Sequence, residues 1–182
     1  MIYVFLAPGF EEIEALAVVD VLRRAELDVI TVGVGEDFVI GSHQIPVAAD
    51  IYERDIVLDD KVEAIVLPGG MPGTLNLEKS PVVQNAIDWA VDNNKLVCAI
   101  CAAPSILGHK GLLDGKRATC FPGFEEELFG AEVTKDFVVI DGNFITAKGM
   151  GSAIEFGLQI AETLTTPLEV KKIRASLQIY NG

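Results

Sequence analysis

The residues best suited to chemistry lie in the segment 95–105, which reads KLVCAICAAPS. Its apolar run from Leu96 to Ile100 has the pattern of a central parallel strand, and Pro104 suits the first turn of a helix. Cys101 therefore falls at a strand-to-helix bend. Such a bend, a nucleophile elbow, holds one side chain at the carboxyl edge of a sheet and needs small neighbours. Ala99 lies two residues before Cys101, and Ala102 and Ala103 follow it. A helix N-terminus behind the thiol would favour thiolate, the nucleophilic form. Cys98 reads instead as a small core residue. Pairing it with Cys101 as a CxxC redox couple is disfavoured, because residues three apart on a strand point to opposite faces.

A cysteine nucleophile needs a proton carrier, and the chain has only two histidines, His43 and His109. His109 sits eight residues beyond Cys101 on the same expected helix, about 12 Å along its axis at ~1.5 Å per residue. His43 reads as a solvated loop histidine. Acids are the alternative. Glu11, Glu12 and Glu14 crowd the first turn of a helix, where acids are favourable in any case. On the helical wheel Glu12 shares a polar face with Asp20, Arg23 and Arg24. Glu14 shares an apolar stripe with Ala17, Val18, Val21 and Ala25, and Glu11 also leans inward. A carboxyl on an apolar stripe is costly unless protonated or partnered, and beside a thiol it would supply acid/base function. Periodicity does not choose between Glu11 and Glu14.

The elements that must position these groups alternate almost from end to end. Strands are expected at 2–6, 28–33, 64–67, 96–100 and 144–146, with helices at 11–24, 81–93, 102–110, 152–164 and 168–176. This alternation implies a mostly parallel sheet covered on both faces, with a ligand crevice beyond the carboxyl ends of the strands. The residues Gly-Ser-His-Gln at 41–44 suggest a small hairpin after the second strand. Three loops converge on the crevice: 7–10, the Pro-Gly-Gly-Met-Pro-Gly stretch at 68–73, and the elbow. Backbone N–H groups of the Gly-Gly pair, with that of Ala102, suit an oxyanion.

Composition narrows the partners. Of the 182 residues half are hydrophobic, enough for one substantial core, so residues 1–182 read as a single domain. A net charge of -13 argues against nucleic acid and anionic membranes as partners. No apolar run approaches the ~20 residues of a membrane span, and no cysteine and histidine cluster has zinc spacing. Three cysteines and an N-terminus without the features of a signal peptide lead us to expect a reducing cytoplasmic location with free thiols.

The blocks GFEEIE at 9–14, LPGG at 67–70 and AICAAP at 99–104, with TAKGMGS at 146–152 followed by Glu155 and Phe156, together resemble the ThiJ/PfpI superfamily. The closer similarity is to its branch containing the parkinsonism-associated protein deglycase. The resemblance implies a flavodoxin-like three-layer α/β/α sandwich, usually a homodimer. It assigns the nucleophile to Cys101, the acid to Glu14, and oxyanion contacts to the Gly70 and Ala102 amides. It also places Phe121 at the site, in a TCFP segment at 119–122 where the family pattern carries histidine before the proline. A phenyl ring cannot transfer a proton. The protease-like branch has histidine directly after the nucleophile, where this chain has Ala102, and the His-x-Glu pair of glutamine amidotransferases is absent.

The expected function is cofactor-free conversion of small α-oxoaldehydes, or of their adducts, by Cys101 and Glu14. The alternative is a redox-responsive stress protein or chaperone working through oxidation of Cys101. Peptidase action ranks behind both.

Overall fold

The computed structural model describes residues 1–179. Its centre is a seven-stranded sheet formed by β1 (Ile2–Leu6), β2 (Val29–Gly33), β5 (Ile51–Tyr52), β6 (Ala64–Leu67), β7 (Leu96–Ile100), β10 (Val138–Asp141) and β11 (Phe144–Ala147). The strand order is β10-β11-β7-β6-β1-β2-β5, parallel throughout except for β10 at one edge. A hairpin of β3 (Phe38–Ile40) and β4 (Pro46–Ala48) and a small pair of β8 (Arg117–Ala118) and β9 (Glu132–Val133) stand apart from it. The helices are α1 (Glu12–Arg24), α2 (Gly73–Lys79), α3 (Pro81–Asp92), α4 (Pro104–His109), α5 (Ala153–Leu164) and α6 (Pro167–Ser176).

The continuous apolar runs form these strands because both faces of the sheet are covered. In β1 the residues Ile2, Val4 and Leu6 enter one core with α1, α5 and α6, whereas Tyr3 and Phe5 enter the other with α2, α3 and α4. Every residue of β1, β6 and β7 is buried. Burying each large apolar side chain of this kind contributes roughly 1.5–3 kcal/mol. The three-layer α/β/α sandwich expected from the alternating pattern is thus the fold observed. Helices α1 and α5 cross closely at Gly157, where an added Cβ would stand 3.1 Å from Val21 Cβ.

Sequence reading differed from the structure mainly at short elements. It omitted α2 and the short strands β5, β8, β9 and β10, which lack enough residues to show a period. It also began the helix after Cys101 two residues early. Residues 101–103 form a turn, and α4 spans six residues from Pro104.

Chain direction sets the site. From β1 the chain passes through α1 to β2 on one side, and later returns to β6 on the other, so β1 and β6 form the switch point at which such sheets bind ligands. The loops after β1 and β6 are laced together there, with Glu11 N donating to Gly69 O at 2.9 Å and Gly73 N donating to Gly9 O at 3.2 Å. Gly70 is obligatory in this lacing. Its φ is +91°, and an added Cβ would stand 2.4 Å from Glu11 N.

Candidate active site

Cys101 follows the last residue of β7 and is held in a left-handed conformation, with φ at +66°. For a residue with a side chain this costs roughly 1–2 kcal/mol. Its backbone is pinned on both sides: Cys101 N donates to Ala147 O at 2.9 Å, and Phe121 N donates to Cys101 O at 2.8 Å. The positive φ also changes where the side chain goes. Cys98 and Cys101 pack against the same core, so the strand alternation that would separate them ends at the bend. Both are free thiols, and Cys98 is fully buried, which pushes its thiol far above the usual range.

Glu14 comes from the first turn of α1, and only 1% of it is exposed. Its Oε2 accepts a hydrogen bond from Gly69 N at 3.0 Å, and its carboxyl interacts with the Cys101 thiol. Gly69 is the spacer between the two. An added Cβ would stand 2.5 Å from Cys101 Cβ and 2.6 Å from Glu14 Oε2. Burial raises the Glu14 carboxyl to about 7; the thiol and the Gly69 and Met150 amides pull it down, and the charge of Glu11 pushes it up. At neutral pH this group can therefore both hold and release a proton.

The thiol does not behave as the elbow pattern suggests. Burial, then the charge and hydrogen bond of Glu14, raise Cys101 to about 12, opposed by the Gly70 and Ala102 amides. A helix of six residues beginning three positions further on offers little dipole against that. When Glu14 carries the proton its repulsion of sulfur vanishes, so the two groups titrate as a coupled pair.

The other acids have structural work. Glu11 is the N-cap of α1, its Oε2 accepting from Glu14 N at 2.7 Å. This separates the two inward-leaning acids that periodicity leaves equivalent. Glu12, expected on a solvated face, is instead buried, at 3% exposure. The β3–β4 hairpin folds over it, and its carboxylate accepts from His43 N at 2.7 Å and from Ser42 Oγ at 3.2 Å. His43 keeps an exposed ring, with Nδ1 3.0 Å from Glu12 Oε2. The ligand atoms of Glu11, Glu12 and His43 lie within 4.8 Å of one another, the spacing of a metal site among the described residues. Both carboxylates are, however, already engaged by the cap and the hairpin. His109 lies away from the thiol, between Glu78 and Glu127.

Phe121 and Cys120 point to different surroundings. Cys120 is buried in the core beneath the sheet, with its thiol raised to about 11 by burial. Phe121 is half exposed and lies over Gly149, where an added Cβ would be 3.2 Å from the phenyl Cδ2 and 3.8 Å from Glu14 Oε1. The sequence names the Gly69–Gly70 pair only as amide donors and Gly149 only as part of the block at 146–152, without the spacer role of either Gly69 or Gly149. The doublet at 69–70 is the visible signal of the first; nothing local marks Gly149 as a spacer.

The chain is similar over most of its length to several known proteins. Protein dj-1beta of Drosophila melanogaster is 36% identical over 182 residues, covering 98% of this chain and 97% of that one. The glutathione-independent glyoxalase DJR-1.2 of Caenorhabditis elegans is 35% identical over 159 residues, covering 86% of this chain and 84% of that one. The solved structure of oxidized Toxoplasma gondii DJ-1 superposes with a TM-score of 0.92 at 33% identity, covering 97% and 96% of the two chains. Residues 1–163 match the family model for DJ-1/PfpI, and the chain belongs to the DJ-1/PfpI family.

Proposed function

We propose that the protein is a cofactor-independent glyoxalase or deglycase acting on α-oxoaldehydes, free or as adducts, with Cys101 as nucleophile and Glu14 as proton carrier. The carrying observation is the buried Glu14 carboxyl against the Cys101 thiol, with the Gly70 and Ala102 amides directed at the same sulfur. Glu14 takes the thiol proton as sulfur attacks the aldehyde carbon. A C–S bond forms, and the carbonyl oxygen becomes an oxyanion facing the two amides. Glu14 returns that proton to the oxyanion, giving the hemithioacetal; the freed carboxylate then takes the proton of the former aldehyde carbon and delivers it to the adjacent carbonyl carbon, while the hydroxyl proton passes to the adjacent oxygen, so that the hemithioacetal becomes a 2-hydroxythioester. Water cleaves the C–S bond, so that R–CO–CHO and H2O give R–CHOH–COOH and the thiol returns. No net oxidation occurs and no cofactor is required. A single turnover with methylglyoxal should give lactate and a transient adduct by intact mass. Cys101→Ser should yield neither, whereas Cys98→Ala and Cys120→Ala should retain both; lactate from Cys101→Ser would overturn the reading.

A redox role has its own supporting observation. With its carboxyl raised to about 7, Glu14 can keep a proton to donate to an oxidised sulfur. Peroxide should then add two oxygen atoms to Cys101, and Glu14→Leu should divert the product to the trioxygenated acid. A small-molecule partner and a homodimer complete the reading. Ile13 and Leu16 of α1 and Ile154 of α5 are exposed apolar side chains on two helices that pack together, a surface suited to a second copy. Light scattering would then give twice the 19.5 kDa chain mass.

A further inference from the structure

Beside the candidate centre lies a cavity of about 280 Å³, lined by Phe121, Pro122, Phe137, Lys148, Gly149 and Met150 among others. This is near the lower end of small-molecule sites, roughly 300–1,000 Å³. Its walls are apolar, yet they stand in solvent: Phe137 is 69% exposed, Met150 55% and Phe121 47%. Lys148 adds the only charged side chain, with Nζ 5.8 Å from the centre of the Phe137 ring. Two aromatic rings and a thioether left in water are an unfavourable arrangement unless something apolar covers them.

The position of Gly149 says what that is. This residue has no side chain at the one point that faces both the Phe121 ring and the Glu14 carboxyl. Its extended backbone, with φ at 162°, does not itself require glycine. The gap joins the shelf to the reacting centre, so a molecule held at Cys101 can extend one arm over Gly149 onto the two rings. A methyl group is too short to cover them.

We propose that this shelf is the subsite for the substituent R of R–CO–CHO, and that the protein selects aromatic or bulky apolar R groups over methyl. The proposal rests on the reading that Cys101 and Glu14 process an α-oxoaldehyde. Phe137 is the residue that sets the preference from outside the reacting centre. Its backbone carbonyl accepts from Lys148 N, a bond that substitution leaves in place.

The test compares kcat/KM for phenylglyoxal and methylglyoxal in the parent, Phe137→Ala and Phe137→Leu. Comparing each variant with the parent removes the greater intrinsic reactivity of phenylglyoxal. Phe137→Ala should lower kcat/KM for phenylglyoxal about tenfold, mostly through KM, and change that for methylglyoxal less than about twofold. Phe137→Leu should recover most of the loss. Equal losses on both substrates, or none on either, would overturn the subsite. A second measurement does not need turnover: alkylation of Cys101 by iodoacetamide and by its N-phenyl analogue, iodoacetanilide. The parent should saturate with iodoacetanilide only, and Phe137→Ala should lose that saturation. If neither aldehyde is turned over while the iodoacetanilide preference holds, the functional reading falls and the subsite stands. If both aldehydes are turned over without aromatic selectivity in either assay, the subsite falls alone.

Discussion

The amide of Gly69 donates to Glu14 Oε2 at 3.0 Å, while the missing side chain of Gly69 leaves the space in which that carboxyl meets Cys101. One residue thus supplies both the hydrogen bond that orients the acid and the opening that lets it reach sulfur. Because Gly69 follows β6, Glu14 follows β1 and Cys101 follows β7, the geometry depends on three adjacent strands keeping their register.

Gly69→Ala should therefore abolish turnover. A methyl placed 2.5 Å from Cys101 Cβ and 2.6 Å from Glu14 Oε2 must displace one of them. We expect a loss of stability of roughly 1–3 kcal/mol from overpacking, measured by chemical denaturation. Turnover should fall by at least a hundredfold, well beyond what so modest a destabilisation removes.

Glu14 should oppose the stability of the fold as pH rises. Its folded carboxyl is raised from 4.5 to about 7, so between those values the folded state binds more protons than the unfolded state. Stability is therefore greatest below about 4.5 and declines through about 7, by an amount on the order of 3 kcal/mol from this group alone. Glu14→Gln removes that slope. Its melting temperature should exceed the parent's at pH 8 and converge with it near pH 4.5, while its turnover is lost.

The left-handed backbone at Cys101 makes an unusual ranking of substitutions. With φ at +66°, Cys101→Gly relieves strain that Cys101→Ala retains. The glycine variant should be the more stable of the two by about 1 kcal/mol, the reverse of the order expected in a regular strand or helix. Paired urea titrations measure the difference directly.

His109 ties together the segments that carry the site. It lies on α4, which follows Cys101, and contacts Glu78 on α2, which follows the Gly69–Gly70 loop, and Glu127 beyond Phe121. Hydrogen bonds to Glu78 and Glu127 raise its pKa above 6.5. The stabilisation is fully present below the unfolded value of 6.5 and is lost as pH rises through the higher folded value. His109→Gln should flatten this alkaline decline. NMR titration of the imidazole should give a midpoint above 6.5, and a midpoint at or below that value would contradict the contacts.

Local pattern in the sequence determined most of the architecture. Apolar runs such as Leu96 to Ile100 can be buried on both faces only inside a covered parallel sheet, and the 3.6-residue period of α1 placed Glu14 on its buried stripe. The bend at Cys101 was legible from the same rules, since a strand signal running into Pro104 leaves little room for a loop. What periodicity records is the face of a residue's own element. It does not record what other elements bring to that face. Where periodicity leaves them equivalent, and only the family resemblance singles out Glu14, tertiary structure gives the physical difference between Glu11, which caps α1, and Glu14, which meets the thiol. It buried Glu12 beneath a hairpin that lies some thirty residues away in sequence, the separation of its hydrogen bond with His43 being 31. It also set the thiol's protonation, because that follows from burial and from a carboxyl on another helix rather than from the start of α4. Gly69 and Gly149 acquire their importance in the same way, from atoms of Cys101, Glu14 and Phe121 that only folding brings beside them.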